Sequence, residues 1–216
     1  MNKSEIFSHI DHTRLSPVST WEEIRTLCSE ASANKAASVC IPPCYIEAVR
    51  ESYPELKICT VIGFPLGYST KETKIFEAGD AVTKGADEVD MVVNLCQVKN
   101  GQFFEITKEI KEIKAACRGK ALKVIIETCY LTEEEKIKLC RCVTEGGADY
   151  IKTSTGFGTA GAQKADIELF KQNIGENVKI KAAGGIRTKE DMEEFLALGC
   201  DRIGTSSGVK ALCEKE

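Results

Sequence analysis

The chain has 216 residues, a net charge of −4, 43% hydrophobic residues and 29% charged residues, a composition typical of a soluble globular protein. This acidic balance and the lack of a basic tract argue against a nucleic acid or an anionic membrane as a partner. The stretch from Met1 to Thr13 lacks the apolar centre of a signal peptide, and no run approaches ~18 apolar residues. We therefore predict a cytoplasmic protein that is neither exported nor embedded in a membrane.

The eleven cysteines lie inside periodic segments and are odd in number, so we predict reduced thiols rather than a disulfide framework. Cys140 and Cys142 lie two positions apart on a predicted helix and therefore point away from each other. Cys40 and Cys44 have no second pair behind them with the spacing of a zinc site. We predict no metal site.

Strand-like runs and helical patterns alternate along the chain after a short opening helix. The predicted strands span 10–12, 36–41, 57–62, 88–93, 122–128, 150–152, 178–183 and 201–204. The predicted helices span 21–34 after the N-cap Thr20, 45–52, 70–84, 102–117, Thr132 to Gly146-Gly147, 165–172, Thr188 to Gly199, and the segment after the last strand.

Strands that alternate with helices of 10–15 residues predict a parallel sheet. Eight such units in this length, with short connections and no linker, predict a closed (β/α)₈ TIM barrel with a short N-terminal helix, forming one domain over 1–216. A doubly wound open sheet is the alternative.

Alternation along barrel strands separates side chains that face the helices from side chains that face the inside. The inside is predicted to receive Ser38 and Cys40 from the second strand, Glu88, Asp90, Val92 and Asn94 from the fourth, Lys123, Ile125 and Glu127 from the fifth, Tyr150 and Lys152 from the sixth, and Lys179 and Lys181 from the seventh. Unpaired buried charges cost several kcal/mol each, and a purely structural barrel fills this space with Val, Ile and Leu. We interpret the charges as an active site; a structural ion network is the alternative.

Two lysines at the ends of neighbouring strands, Lys152 and Lys181, predict amine chemistry. A nearby like charge lowers the pKa of a lysine, which favours the neutral amine that attacks a carbonyl carbon. Asp90 lies on the inside of the fourth strand and could transfer protons, and Asp11 could reach the same cavity from the first strand. The alternative for Asp90 is a counter-ion that only neutralises a lysine.

Glycine- and serine-rich loops follow the seventh and eighth strands at Gly184-Gly185 and at Gly204–Gly208. Backbone N–H groups, hydroxyls and helix N-termini at this position of a barrel commonly bind phosphate. A phosphorylated substrate is therefore predicted, with plain helix caps as the alternative.

The motifs resemble deoxyribose-phosphate aldolases nearly from end to end. They are Asp11-His12-Thr13, Glu88-Val89-Asp90, Lys123-Val124-Ile125-Ile126-Glu127-Thr128, Lys152-Thr153-Ser154-Thr155-Gly156 and Lys181-Ala182-Ala183-Gly184-Gly185-Ile186-Arg187. The resemblance implies a class I aldolase that reversibly cleaves 2-deoxy-D-ribose 5-phosphate to D-glyceraldehyde 3-phosphate and acetaldehyde, without a metal or an organic cofactor. It also implies that Lys152 forms the Schiff base, that Lys181 lowers the pKa of this lysine, and that Asp90 transfers protons. Substrate and phosphate contacts are expected from Asp11, Thr13, Cys40, Gly156, Gly184, Gly185, Gly204, Ser206 and Ser207.

Two features depart from this pattern. Phe157 stands where some members carry a lysine, and the chain ends Ala-Leu-Cys-Glu-Lys-Glu without the C-terminal tyrosine of some members. We therefore predict that phosphate is held chiefly by uncharged donors, with the backbone N–H of Arg187 contributing even where its side chain points to solvent. The expected partners are a phosphorylated sugar and an aldehyde, and a homodimer is a candidate assembly.

Two other functions stay open. One is another lysine-dependent sugar-phosphate aldolase or transaldolase, and the other is a barrel that binds sugar phosphates without chemistry. The joint presence of Lys152, Lys181 and Asp90 speaks against the second.

Overall fold

Eight parallel strands form a closed barrel in the computed structural model of the chain, which describes residues 1–213. The strands are β1 (Ile10–Thr13), β2 (Ser38–Ile41), β3 (Ile58–Ile62), β4 (Glu88–Val92), β5 (Ala121–Ile125), β6 (Tyr150–Lys152), β7 (Lys179–Ala183) and β8 (Arg202–Thr205). They follow one another around the barrel in chain order, and β8 pairs with β1 to close it. The predicted TIM barrel is confirmed, and the open sheet is wrong.

The helices lie between successive strands along the chain, with α1 ahead of β1. They are α1 (Lys3–Phe7), α2 (Trp21–Asn34), α3 (Ile46–Ser52), α4 (Lys71–Thr83), α5 (Leu95–Lys99), α6 (Phe103–Ala116), α7 (Glu133–Glu145), α8 (Lys164–Asn173), α9 (Lys189–Ala197) and α10 (Gly208–Cys213). Short 3₁₀ turns at Pro43–Tyr45 and Thr128–Tyr130 were not predicted, nor was α5.

The predicted helix starts are confirmed by capping geometry. Thr20, Thr132 and Thr188 each accept a hydrogen bond from a backbone N–H in the first turn, and an acidic side chain three positions later returns the bond. This reciprocal arrangement satisfies two N–H groups that the helix itself leaves unpaired. It fixes where the loops at the C-terminal ends of the strands stop.

Most of the apolar core lies between the barrel and the helices. Val89, Met91 and Val93 of the fourth strand region pack into it with Leu122 and Val124 of β5. The opposite residues of these strands face the barrel interior, as the alternation predicted. The prediction for Lys179 is only partly met, because its side chain is exposed and its Nζ lies 5.8 Å from the Tyr150 ring centroid.

Within residues 1–213, none of the helices is both long enough and apolar enough to cross a membrane. The prediction about a C-terminal segment without a tyrosine includes residues 214–216. These three positions lie outside the described residues.

Candidate active site

Asp90 is the centre of a fully buried charge cluster inside the barrel. Its Oδ2 accepts hydrogen bonds from Lys152 Nζ and Lys181 Nζ, both at 2.7 Å. Its Oδ1 accepts from Lys123 Nζ at 2.9 Å and from the Cys59 thiol at 3.1 Å. The register explains why the two lysines reach the same oxygen, because Lys152 and Lys181 are paired neighbours on β6 and β7.

A second layer of charges lies beside the first. Asp11 contacts Lys181 Nζ at 2.5 Å, accepts a hydrogen bond from Ser38 Oγ at 2.7 Å, and pairs with the Arg202 guanidinium. Glu88 contacts Lys123 Nζ at 2.6 Å and Arg202 at 3.1 Å. The cluster therefore draws side chains from β1, β4, β5, β6, β7 and β8.

The cluster holds four basic side chains, Lys123, Lys152, Lys181 and Arg202, and three carboxylates, Asp11, Glu88 and Asp90. Burial disfavours charge, so electroneutrality inside the barrel is reached when one basic group loses its proton. Among the described residues, Lys152 contacts Asp90 alone, whereas each of the other three contacts two or three carboxylates. Lys152 is therefore the basic group of the cluster with the fewest carboxylate contacts.

The pKa shifts agree with this distribution of charge. Burial alone would lower the pKa of Lys181, but the carboxylates of Asp11 and Asp90 outweigh burial and raise it. The pKa of Lys123 is likewise raised, against burial, by its carboxylate neighbours. Burial would raise the pKa of Asp90, yet the three lysines hold it well below its usual range. Lys181 and Lys123 stay cations and Asp90 stays an anion near neutral pH.

A cavity of about 440 Å³ opens above this cluster, at the C-terminal ends of the strands, where TIM barrels carry their active sites. Lys152 is the one lysine among the described residues that line it. The wall also contains Thr13, Arg14, Leu15, Ser16, Pro17, Thr155, Gly156, Phe157, Ala183, Gly184, Gly185, Ile186, Arg187, Gly204, Thr205, Ser206 and Ser207. The amine of a buried charge cluster is thus presented to a ligand-sized space.

One end of the cavity offers unpaired backbone donors. Within the described part of the chain, the N–H groups of Gly156, Gly185 and Ser206 donate no hydrogen bond to another residue. Arg14 and Arg187 are charged residues on the same wall, which carries no carboxylate among its described members. Free N–H groups, on a wall whose described members include no carboxylate, make this end suited to a phosphate.

Gly204 makes room for the charge cluster. A Cβ on this residue would lie 3.2 Å from Lys181 Cε and 3.0 Å from Ala183 Cβ. A larger side chain would therefore displace the second lysine or narrow the cavity.

Among residues 1–213, two sets of side chains bring three possible metal-ligand atoms within 4.8 Å of one another. One set is Cys40, Cys59 and Asp90, and the other is Asp11, Cys59 and Glu88. Each carboxylate in these groups already contacts at least two ammonium or guanidinium groups. A divalent cation would have to displace them, so we assign these carboxylates to the lysines and the arginine.

Comparison with known proteins places this site in a family. The sequence pattern of the family described as "DeoC/LacD family aldolase" matches residues 6–212. The chain belongs to this family of aldolases. A deoxyribose-phosphate aldolase of Clostridium botulinum (strain Alaska E43 / Type E3) is 56% identical over 217 residues, covering 100% of this chain and 98% of the relative. One of Clostridioides difficile (strain 630) is 57% identical over 208 residues, covering 96% and 95%.

Solved aldolase structures share the fold. One described as "QR15, an Aldolase" superposes with a TM-score of 0.93 at 37% identity, covering 96% of this chain and 94% of its own. A deoxyribose phosphate aldolase from Aeropyrum pernix, described as a unique tetrameric structure, has a TM-score of 0.88 at 33% identity, covering 98% and 91%. The barrel of this aldolase is therefore the family's barrel over nearly its whole length.

The structure brings most of the predicted site residues of this aldolase to one place. Lys152, Lys181 and Asp90 are in contact, and Thr13, Gly156, Gly184, Gly185, Gly204, Ser206 and Ser207 line the cavity beside them. Asp11 and Cys40 lie behind the wall and are fully buried. The predicted contribution of the Arg187 backbone is wrong, because its N–H donates to Asp191 Oδ2 at 3.2 Å within the cap of α9. The Arg187 side chain is exposed.

Three residues of the site were missed by sequence reasoning. Lys123 was placed inside the barrel without a role, although it contacts all three buried carboxylates. Arg202 could have been found by extending the alternation to β8, where it lies two residues before Gly204 and therefore on the same, inward-facing side of the strand. Arg14 follows β1 and pairs with Glu23, and no pattern in the sequence marks it as a member of the wall.

Cys40, although buried behind the cavity wall, is expected to be the thiol that aldehydes inactivate. Its hydrogen bond with Cys59 lowers its pKa, and the ammonium groups of Lys181 and Lys152 act in the same direction, against burial. Acetaldehyde and its unsaturated condensation products are electrophiles, and the thiolate is the reactive form of cysteine. Cys40→Met should therefore retain activity in concentrated acetaldehyde for longer than the parent, as followed by residual activity over time. Cys44→Ser, at an exposed thiol, is the control and should decay with the parent; equal decay of all three proteins would place the target elsewhere.

Proposed function

We propose that this aldolase reversibly cleaves 2-deoxy-D-ribose 5-phosphate to D-glyceraldehyde 3-phosphate and acetaldehyde through a Schiff base on Lys152. The observation that carries the proposal is that Lys152 is the one lysine on the cavity wall among residues 1–213, and that it belongs to a cluster with one basic group more than it has carboxylates. The relatives named above as deoxyribose-phosphate aldolases support the choice of substrate. The proposal covers 1–216 as one domain.

The first half of the reaction needs a neutral amine. Lys152 Nζ attacks C1 of the open-chain sugar, and the resulting carbinolamine loses water to give a protonated imine. This imine withdraws electrons from the C2–C3 bond. Removal of the proton from the C3 hydroxyl then breaks that bond, releases glyceraldehyde 3-phosphate, and leaves the two-carbon enamine on Lys152.

The second half of the reaction protonates the enamine and releases acetaldehyde. The enamine takes a proton at C2, which restores an imine, and water hydrolyses this imine to acetaldehyde and the free lysine. Asp90 Oδ2 lies 2.7 Å from Lys152 Nζ, so this oxygen can take up the proton that the amine loses as it attacks C1 and deliver it to the hydroxyl that leaves as water. Because the pKa of Lys181 is raised, Lys181 acts as a lasting positive charge beside the imine.

The phosphate lies, in this proposal, at the end of the cavity formed by Gly156, Gly185, Ser206 and Ser207. The Ser207 backbone N–H donates to Thr205 Oγ1 at 3.0 Å, which leaves its hydroxyl as the group for the ligand. A phosphate held by hydroxyl and N–H groups fits the prediction of uncharged donors.

Ser207→Ala is expected to raise the KM for deoxyribose 5-phosphate by roughly tenfold or more, because a hydrogen bond to a charged group contributes ~1.5–3 kcal/mol. Unphosphorylated deoxyribose should be turned over as by the parent. Arg187→Ala should have a smaller effect because its side chain is exposed. Steady-state kinetics on both sugars measures this; the reverse ranking, with a strong dependence on salt, would show that a charged side chain anchors the phosphate.

A donor assay tests the function against the nearest alternative. The purified protein, with glyceraldehyde 3-phosphate as acceptor, should form deoxyribose 5-phosphate from acetaldehyde and give no product with dihydroxyacetone phosphate as donor. Product from dihydroxyacetone phosphate alone would make the chain another lysine-dependent aldolase. No product from either donor would favour a binding protein.

Assembly and location belong to the same proposal. We propose a homodimer that acts on small molecules in the cytoplasm, without nucleic acid or membrane partners. Light scattering coupled to size-exclusion chromatography measures the mass in solution, and a monomer or a tetramer would correct the dimer.

A further inference from the structure

Glu127 is a buried carboxylate that the mechanism above does not use. It is 2% exposed, and it makes no ion pair within 4.0 Å among residues 1–213. Its backbone lies in the left-handed region with φ 52° and ψ 65°, which costs a residue with a side chain roughly 1–2 kcal/mol. Burial raises the pKa of Glu127, although hydrogen bonds from Thr155 and the charge of Lys152 act against burial. Strained backbone beside an active site is a reason to look for a role.

The partner of Glu127 is Thr155, in the loop that follows Lys152. The Thr155 N–H donates to Glu127 Oε1 at 3.2 Å and Oε2 at 3.3 Å, and the Thr155 hydroxyl donates to Oε2. The N–H of Phe157 donates to Thr155 Oγ1 at 3.0 Å. A hydroxyl has one proton and two lone pairs, so the proton and one lone pair are used. Within the described residues, the second lone pair has no partner.

Gly158 allows the loop to pack closely against Glu127, because it has no side chain. A Cβ on this glycine would lie 2.8 Å from Cys129 Sγ and 3.2 Å from the carboxyl carbon of Glu127. Glu127 therefore holds the loop by packing as well as by hydrogen bonds, and Thr155 has little freedom to rotate its hydroxyl away.

Thr155 lines the cavity together with Lys152 and Gly156. If the proposed function is correct, Lys152 holds C1 of the sugar and the backbone at Gly156 contacts the phosphate on C5. Because Thr155 lies in the chain between Lys152 and Gly156, which contact the two ends of the sugar in this arrangement, we place its hydroxyl beside the carbon next to the phosphate-bearing carbon. That carbon, C4, carries a hydroxyl that can donate a hydrogen bond.

We propose that Glu127 is a positioning residue that fixes the Thr155 hydroxyl as an acceptor for the C4 hydroxyl of the substrate. In the synthetic direction this hydroxyl is the one next to the carbonyl of the acceptor aldehyde. The enzyme then selects phosphorylated aldehydes that carry a 2-hydroxyl over those that lack it. An amide at position 127 would donate to Thr155 Oγ1, occupy the free lone pair, and turn the hydroxyl proton toward the cavity.

The test compares two acceptors in the condensation with acetaldehyde, glyceraldehyde 3-phosphate and 3-phosphonooxypropanal, which lacks the 2-hydroxyl. The kcat/KM for glyceraldehyde 3-phosphate divided by that for 3-phosphonooxypropanal should fall in Glu127→Gln by roughly tenfold, which corresponds to the loss of about one hydrogen bond. Thr155→Val should lower the ratio by the same factor, and Thr155→Ser should keep it. Because Glu127 acts through Thr155, the double variant should show no further fall. An unchanged ratio in Glu127→Gln, or effects that multiply in the double variant, would overturn the proposal.

Two controls distinguish this inference from a general loss of stability and from failure of the proposed function. Glu109→Gln alters another buried glutamate, paired with Lys74 outside the barrel at 3.0 Å, and should lower stability without changing the ratio. Should Glu127→Gln not fold, Thr155→Val and Thr155→Ser carry the test, and an unchanged ratio in the valine variant would overturn the proposal. Borohydride trapping of acetaldehyde by the parent protein tests the proposed function separately. A parent that traps no acetaldehyde refutes the proposed function, whereas a normal parent with an unaltered ratio in the variant refutes this inference alone.

Discussion

Asp90→Asn is expected to lower kcat/KM for deoxyribose 5-phosphate by more than roughly a hundredfold and the free energy of unfolding by about 3–5 kcal/mol. The reason is that one carboxylate receives Lys123, Lys152 and Lys181. An amide of the same size brings two N–H donors to a place where three ammonium groups already donate. The variant would therefore bury cations without their anion and remove the carboxylate that carries protons to and from Lys152. Urea unfolding and steady-state kinetics on the same preparation measure both effects.

The matched control for this variant is Asp80→Asn. Asp80 pairs with Lys84 across one turn of α4 at 2.8 Å, with 39% of its side chain exposed. Exposed pairs of this kind contribute ~0.2–1 kcal/mol, so this variant should unfold nearly as the parent does and retain full activity. An Asp90→Asn protein as stable and as active as the control would contradict the role given to the cluster.

Lys181→Leu should move the acid limb of the pH–rate profile to higher pH by about two pH units. On that limb, such a displacement lowers kcat/KM at pH 7 by about a hundredfold. Removing this cation leaves Lys123, Lys152 and Arg202 against three carboxylates. The cluster is then neutral with Lys152 protonated, so the neutral amine becomes costly. The sign follows: activity should recover as the pH rises and should not recover as it falls.

Lys181→Arg is the control, because it keeps the charge while it changes the shape. Its acid limb should stay near that of the parent, whatever happens to the maximal rate. A Lys181→Leu profile with the parent's shape, reduced in height only, would show that Lys181 acts by packing rather than by charge.

The barrel and the inward position of the catalytic groups were predictable from the sequence because both follow from local periodicity. Alternation along β4, β5 and β6 put Glu88, Asp90, Lys123 and Lys152 on one side, and the structure places them there. The short helix α5 was missed because Asn94, which caps it, was assigned to the strand before it.

The pairing within the cluster was not predictable. Alternation says which side of a strand a residue occupies, but which carboxylate a lysine reaches depends on register and on the tilt of the strands around the barrel. The sequence therefore indicated an approach of Lys152 and Lys181, but not that both share one oxygen of Asp90, nor that Lys123 and Arg202 bind the remaining carboxylates.

The phosphate end shows the same limit. Glycine and serine in the loops after β7 and β8 indicated donors, but which N–H groups are free depends on the loop conformation. Arg187 illustrates this, because a capping aspartate three positions into the next helix occupies its N–H. The role proposed for Glu127 likewise depends on the rotation of the Thr155 hydroxyl, which is set by the contacts around it rather than by residue type.

Borohydride trapping tests the central claim most directly. The protein is incubated with acetaldehyde, reduced, digested and mapped by mass spectrometry, with Lys152→Arg as the matched control because it keeps the charge and removes the nucleophile. The account predicts one stable ethyl adduct, on Lys152, and none in the variant. An adduct chiefly on Lys181, or an equal adduct in the variant, would contradict it.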